Sequence, residues 1–446
     1  MFTRHYKVWP KELPKTMTLP NTSVFTNLEV SARRYPDHPA IIYYDSRIKY
    51  RELLDEVEAL AGWLQHNGVK KGDRVLLYMQ NSPQYVIGYY AILRADAVVI
   101  PVNPMNRAGE LEHYVSDTGA TVCLAGQELA DFISPLVGKT YLEQVVVAAY
   151  GTYIKGPTDL TLPAEVSAKP QAQTAPGTIS WEDALNAGNR PTEHTAGPDD
   201  LAVIPYSSGT TGQPKGCMHV HRGVMATAVH RAFWNLSTPD SVQLSTLPFF
   251  HVTGMTGSMN SPIFAGSTSI IMTRWDRTTA AILIERYKVT GWTNIVTMAV
   301  DFLSNPDLSK YDISSLLTIG GGGAAMPVAV AEKLFRLTGL NYIEGYGLSE
   351  TMAATHINPP EHPKAQCLGI PVFDVDSRII DVDTLEEKGP GEVGEIVSNG
   401  KQVTVGYWNR PAETEPRLLN WMTRNSSAPA IWPTTTKTAI SSWWTG

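Results

Sequence analysis

The feature that most constrains the fold is an alternation of short apolar runs with helix-like stretches over residues 50–124. From Tyr50 onward Leu53, Leu54, Val57, Leu60, Ala61 and Leu64 recur at spacings of three and four, which lays one apolar stripe along a helix. A polar turn at 70–73 follows, and the run 74–79 has the length and composition of a buried strand. The pattern then repeats, with helix-like 83–93, strand-like 97–102, helix-like 108–116 and strand-like 121–124. This order predicts βαβ units around a mostly parallel sheet, and so an α/β fold. In such sheets ligands gather at the carboxyl ends of strands, which directs the search for function to the loops that follow apolar runs.

The regularity breaks twice. Residues 151–197 are rich in Pro, Ala, Thr and Gly, and read as a long surface excursion with one short helix near 181–185. Patterning resumes at Leu201 and lasts to about residue 410, but 416–446 contains no Asp or Glu and holds four of the eleven tryptophans. The expected divisions are a first α/β subdomain at 1–200, a second at 201–356, a small β-rich subdomain at 357–415 and an aberrant tail at 416–446.

Composition narrows the class. With 43 acidic and 36 basic side chains the net charge is −7, which argues against general affinity for nucleic acid or anionic membrane. Three scattered cysteines form neither a metal-ligand pair nor a disulfide framework. The amino-terminal residues lack the apolar core of a signal peptide, and the most apolar stretch, 85–102, is broken by Arg94 and Asp96. A soluble cytoplasmic enzyme is the expectation, without a transmembrane segment. Peripheral membrane contact and oligomeric state stay open.

Three segments carry chemistry. Tyr206-Ser-Ser-Gly-Thr-Thr-Gly-Gln-Pro-Lys-Gly216 follows the apolar run 201–205. Its small residues let backbone N–H groups crowd around an anion, its hydroxyls add donors and Lys215 adds charge. It is not a Walker loop, because Lys215 lies between Pro214 and Gly216 with no hydroxyl residue after it. The second segment is Glu344-Gly-Tyr-Gly-Leu-Ser-Glu-Thr351. Two glycines flank Tyr346, so its ring would project from a tight turn as a stacking face for a purine. Ser349 and Thr351 suit a phosphate, and Glu350 is a hard ligand for magnesium. Alone, this segment equally fits a turn and helix cap. The third, Gly320-Gly-Gly-Gly-Ala-Ala-Met-Pro327, offers a backbone open to a flat ring, and alone is weak.

In this order and spacing the segments resemble the adenylate-forming superfamily: acyl-CoA synthetases, luciferases and peptide-synthetase adenylation domains. The resemblance runs from about residue 27 to 415 and includes Leu247-Pro-Phe-Phe-His-Val252, Gly394-Glu-Ile396 and Gly406-Tyr-Trp-Asn-Arg-Pro411. It implies that Ser207, Ser208, Gly209, Thr210, Thr211, Gly212 and Lys215 wrap the ATP phosphates. It further implies that Gly323, Ala324 and Ala325 border the adenine, and that Tyr346 and Gly347 form its stacking wall. Ser349 would meet the α-phosphate, Glu350 would hold Mg2+ and His251 would gate the acyl and pantetheine channels. Lys215, His251, Ser349 and Glu350 are thus the expected catalytic residues. The implied reaction joins a carboxylic acid to ATP as an acyl-adenylate and passes the acyl group to coenzyme A.

The resemblance also implies a Thr-Gly-Asp segment, a hinge Asp-Arg pair and a small lysine-bearing domain after residue 411, none of which is found in 416–446. Codons chosen for 422–446 can encode, two nucleotides later, the string DEEFFRTGDLAYYDEDGYFFVVDR, which supplies both missing elements in register. A frameshift near Glu415 or Pro416 is therefore expected, and the chain as written should adenylate slowly. The small and Met-rich segment 251–264 is read as leaving room for a medium- or long-chain fatty acid. An aryl or short-chain acid ligase is the alternative, and a non-catalytic nucleotide- or acyl-binding fragment is the alternative of another class.

Overall fold

The computed structural model describes residues 3–207, 214–381, 383–414 and 430–431. After a short 3-10 turn at Arg4–Val8 and a helix at Phe25–Arg34, the first strands form a hairpin, β1 (Pro39–Tyr43) and β2 (Ser46–Lys49). The chain continues through β3 (Arg74–Tyr78), β4 (Val98–Pro101), β5 (Val122–Gly126), β6 (Gln144–Ala148), β7 (Thr178–Ser180) and β8 (Leu201–Val203). Two short strands, β9 (Tyr206–Ser207) and β10 (Lys215–Gly216), pair antiparallel, with Lys215 opposite Ser207, and β11 (His219–Val220) follows. One sheet has the order β11-β8-β4-β3-β5-β6-β7 and is parallel apart from the β11–β8 edge.

The second sheet adds β12 (Val242–Ser245), β13 (Thr268–Ile271), β14 (Gly291–Asn294), β15 (Thr318–Gly321), β16 (Tyr342–Leu348), β17 (Ala353–Ile357) and β18 (Ile370–Pro371). Its order is β18-β17-β16-β15-β14-β12-β13-β1-β2, parallel at the centre and antiparallel at both ends. The amino-terminal hairpin therefore closes the sheet that residues 242–371 build. A separate antiparallel pair, β19 (Asp376–Ile380) and β20 (Glu395–Asn399), follows. The expected α/β class and its alternation of elements are both present.

The helix Tyr50–His66 buries Leu53, Val57, Leu60, Ala61 and Leu64 on one face, as the spacing dictates. The helix Pro83–Arg94 is buried on every side, as a helix without a polar face must be. Its start is fixed by Ser82, whose hydroxyl accepts from Tyr85 N at 3.1 Å, with Pro83 in the first turn. Arg94 survives in this core because Nε meets the Glu58 carboxylate at 2.7 Å and Nη1 donates to Thr192 O at 2.8 Å.

The stretch 151–197 differs from the surface excursion that its composition predicts. It supplies β7 to the sheet edge and a helix at Trp181–Asn186, as expected near 181–185, yet Trp181 is fully buried. Tyr153, Leu160 and Val166 are buried with it. These residues enter the core one at a time from an irregular backbone, so no period betrays them. The end of the stretch crosses the Tyr50–His66 helix so closely that a Cβ on Gly62 would stand 2.5 Å from Asn189 O. The tail 416–446 lies outside the described residues apart from Ala430–Ile431, which pairs with β20.

Candidate functional site

The loops after β4, β8, β12 and β16 converge at the carboxyl ends of the strands and enclose a cavity of about 820 Å3. Asn103, Tyr206, Ser207, His251 and Ser349 are among its walls. The hydroxyl-rich loop starts from a fixed point. Tyr206 donates from its hydroxyl to Asp117 at 2.5 Å, and its ring lies 4.4 Å from that of Tyr114. Ser208, Gly209, Thr210, Thr211 and Gly212 lie outside the described residues. The strand pair β9–β10 brings the two ends of their loop together.

Lys215 and Glu350 are drawn together by a residue to which the sequence reading gave no role. Tyr407 donates from its hydroxyl to Glu350 Oε1 at 2.8 Å, and Lys215 Nζ lies 5.7 Å from the centre of the Tyr407 ring. Lys215 also forms an ion pair with Glu413. The backbone around Tyr407 is stitched to the loop's exit by Trp408 N to Gly216 O at 2.8 Å and Met218 N to Gly406 O at 2.9 Å. Thr404 N donates to Glu350 O at 2.7 Å, which fixes Glu350 from its main chain as well.

Among the described residues no group of three His, Cys, Asp or Glu side chains could cage a metal. One carboxylate close to a lysine and a tyrosine hydroxyl is nonetheless a donor that suits Mg2+, which keeps waters and takes further oxygens from a bound ligand. Glu350 fits that role.

The Tyr346 segment takes a different shape from the expected tight turn. Gly345, Tyr346 and Gly347 lie inside β16 and pair antiparallel with β17. The glycines serve that pairing, since a Cβ on Gly347 would stand 1.7 Å from Ala353 O. Tyr346 still presents a half-buried ring, 5.9 Å from that of His356. Ser349 begins a single tight turn, and its carbonyl accepts from His219 Nε2 at 2.8 Å. Met352 and Ala353, which close the turn, have φ of 49° and 80°, a conformation that side chains resist and that marks stored strain beside the site.

The glycine run divides by purpose. A Cβ on Gly320, Gly321 or Gly322 would collide with Ile343 O, Asn294 O or Gly345 O, so these three allow close strand packing. Gly323 turns the chain with φ of 88° into open space, and Ala324 and Ala325 sit exposed on the loop that follows. That loop is held by Glu344, whose two carboxylate oxygens accept from Met326 N at 2.6 Å and Cys367 N at 2.9 Å. Burial pushes its carboxyl above the ordinary range even though these N–H groups favour the anion.

A second cavity, about 130 Å3, lies between the glycine-rich ends of β15 and β16 and the helical segment after His251. Gly323, Tyr346 and Gly347 line it, and His251 lines both cavities. The His251 ring is open to the cleft yet packed by protein, and this burial lowers its pKa. Its Nδ1 accepts from Thr253 N at 3.4 Å, which leaves the proton of the neutral ring on Nε2.

Only part of the expected acyl-pocket segment faces that cavity. A Cβ on Gly254 would stand 2.1 Å from Pro248 O, so this glycine serves close packing rather than pocket room. Met255 and Met259 are buried in the main core of a π-helical stretch, Met255–Asn260, while Gly257 and Thr256 line the cavity. The remaining wall comes from the helix His221–Trp234, through Thr227, His230 and Arg231, which the sequence reading did not single out. A polar pair inside an otherwise buried helix was the signal available.

Residues 28–408 match the model of a family described as AMP-binding enzyme. The chain is 33% identical to the long-chain-fatty-acid–CoA ligase of Bacillus subtilis (strain 168), over 93% of this chain and 76% of that protein. It is 31% identical to the long-chain-fatty-acid–CoA ligase of Escherichia coli O157:H7, over 93% and 77% respectively. A crystal structure of a long-chain-fatty-acid-CoA ligase from Archaeoglobus fulgidus superimposes with a TM-score of 0.80 at 25% identity, covering 95% of this chain and 84% of that one.

Proposed function

The chain belongs to the AMP-binding enzyme family, and from that premise we propose how its cleft carries out the reaction and which acid it takes. The activity is that of an AMP-forming acid–thiol ligase that uses ATP, Mg2+ and coenzyme A. One carboxylate oxygen attacks the α-phosphorus and pyrophosphate leaves. The coenzyme A thiol then attacks the acyl carbon, loses its proton and expels AMP.

In this reading the larger cavity receives the phosphates of the nucleotide, and the adenine lies against the β16 wall that also borders the smaller cavity. The acyl group fills the part of the smaller cavity beside the helix His221–Trp234. The loop 207–212 and Lys215 surround the phosphates, Glu350 holds Mg2+ and Ser349 meets the α-phosphate. Gly323, Ala324 and Ala325 border the adenine, with Tyr346 and Gly347 as its wall. Magnesium, when bound, neutralises charge on the phosphate oxygens as pyrophosphate departs. The protein's own part is positioning and electrostatic preorganisation: Tyr407 and the Thr404 amide orient Glu350, and Glu344 fixes the adenine-side loop. His251, with its proton on Nε2, is the side chain through which nucleotide and acyl compartments communicate. That shared wall is the single observation that carries the reading.

The acid is an aliphatic one of the fatty-acid class. The support is the naming of relatives that align over nine-tenths of the chain as long-chain-fatty-acid–CoA ligases. A short-chain acid is the second reading, favoured by the small volume and polar walls of the inner cavity. No helix among the described residues is long and apolar enough to cross a membrane, and we place the enzyme in the cytoplasm. Acid-dependent exchange of labelled pyrophosphate into ATP, with mass detection of the acyl-CoA, tests the proposal. Exchange and thioester that depend on acid support it. ATP or acid binding with neither product would make the chain a binding module instead.

A further inference from the structure

The end of the smaller cavity walled by the helix His221–Trp234, taken as its inner end, is chemically unlike the apolar terminus that a saturated chain requires. Arg231 lines it among threonine, glycine and histidine residues, on a helix that is otherwise mostly apolar. Its Nη2 donates to Thr293 Oγ1 at 2.8 Å, but Nε has no partner in the protein. Among the described residues no Asp or Glu forms an ion pair with it, although Arg94, Arg222, Arg277, Arg286 and Arg378 all have carboxylate partners. Burial pushes the guanidinium down to about 10, which still leaves it cationic at neutral pH. A desolvated cation without a counter-ion is strongly unfavourable unless something supplies the charge.

Three neighbours sharpen the picture. His230, 4% exposed, lines the same cavity, and neither ring nitrogen has a partner in the protein. Burial lowers it to about 3, so it is neutral and offers one N–H. Gly257 leaves the space beside Arg231 empty: a Cβ there would stand 3.8 Å from Nε and 3.7 Å from Thr293 Oγ1. Thr227 and Thr256 complete a polar floor.

We propose that this inner end receives a second carboxylate carried by the substrate, so that the preferred acids are short aliphatic dicarboxylates activated at one end only. The planar guanidinium fork matches a carboxylate, Nε and Nη donating side by side, and His230 supplies a further donor. The assignment rests on the ligase reading above, because it takes the smaller cavity as the acyl site. It departs from that reading in what the far end of the acyl group must be.

The test compares matched acids, hexanoate with hexanedioate and octanoate with octanedioate, by calorimetric binding and by acid-dependent pyrophosphate exchange. The diacid of each pair should bind at least about 10-fold more tightly. Arg231→Met, which replaces a buried charge with an apolar chain of similar length, should weaken the diacid about 30- to 100-fold and the monoacid less than about 3-fold. Arg231→Lys should restore part of the preference. Gly257→Ala, whose added methyl makes only ordinary contacts, should weaken the diacid by crowding Nε. Monoacids that bind as well as their diacid twins would overturn the proposal. Equal losses for both in Arg231→Met would overturn it too, and would assign the guanidinium to the reacting carboxylate. Absence of exchange with every acid would instead remove the ligase reading, and the binding ratios would still decide the inner site.

Discussion

Replacing Glu344 by Gln isolates the clamp beneath the loop 322–326. Each carboxylate oxygen faces a backbone N–H, one from Met326 and one from Cys367, and Glu344 is only 6% exposed. Whichever way the amide turns, its NH2 opposes one of those donors. One charge-assisted bond of about 1.5–3 kcal/mol is lost, and the other weakens to a neutral bond at a further cost of about 1 kcal/mol. The sum is about 2–4 kcal/mol. For 446 residues at about 2.1 cal/mol/K each, the unfolding entropy is about 0.9 kcal/mol/K, so about 1 kcal/mol moves Tm by about 1 °C. Scanning calorimetry should therefore show a fall of about 2–4 °C if the whole cost is global. If the loop 322–326 releases locally, Tm changes less and the KM for ATP in the exchange assay rises, by up to about 30-fold for 2 kcal/mol. A variant with both Tm and ATP KM unchanged would refute the clamp.

Tyr407→Phe removes the hydroxyl that orients Glu350, and the Mg2+ concentration for half-maximal exchange should rise about 3- to 10-fold in a metal titration, with little change in Tm. Gly254→Ala forces a methyl against Pro248 O and should cost about 1–3 kcal/mol in denaturant unfolding while displacing His251. Trp181→Ala should cost about 3–5 kcal/mol in the same assay, because a fully buried indole leaves a cavity in its place. Burial lowers His5 and His219 to about 4, and His221, His230 and His356 to about 3. Their unfolded forms take protons from about pH 6.5 downward while the folded forms do not. Stability is thus complete above 6.5 and falls toward pH 4, by up to about 1.4 kcal/mol per pH unit for each histidine. A Tm that stays constant from pH 7.5 to 5 would contradict this.

What was legible in the chain was periodic or locally punctuated. The Tyr50–His66 helix and the strands β3 to β5 stand where spacing and turn residues predict, because their burial is repeated at every turn of the backbone. Trp181 escaped because a single indole entering from an irregular segment leaves no period. The Glu344 clamp escaped because its partners are main-chain groups 18 and 23 residues away, which carry no side-chain signature. For Tyr346 a tight turn was expected and a strand is found: glycine on both sides signals close approach, and only the pairing with β17 decides between a strand and a turn. Residues 252–264 carry no charged side chain, yet Arg231 reaches the same cavity from a different helix.

The amino-terminal hairpin has a consequence for how the molecule is made. Ile41 to Tyr43 lie beside Ser269 to Ile271, a pairing that links residues about 230 positions apart. During synthesis β1 must wait, one edge unmatched, until β13 has left the ribosome, whereas the sheet of β3, β4 and β5 can assemble from neighbouring stretches long before. The first and last strands to find their places are thus set by contact distance rather than by order of emergence. A nascent chain stopped between Val220 and Thr268 would hold one sheet with all its strands and, in β1, one apolar strand with an edge exposed to aggregation.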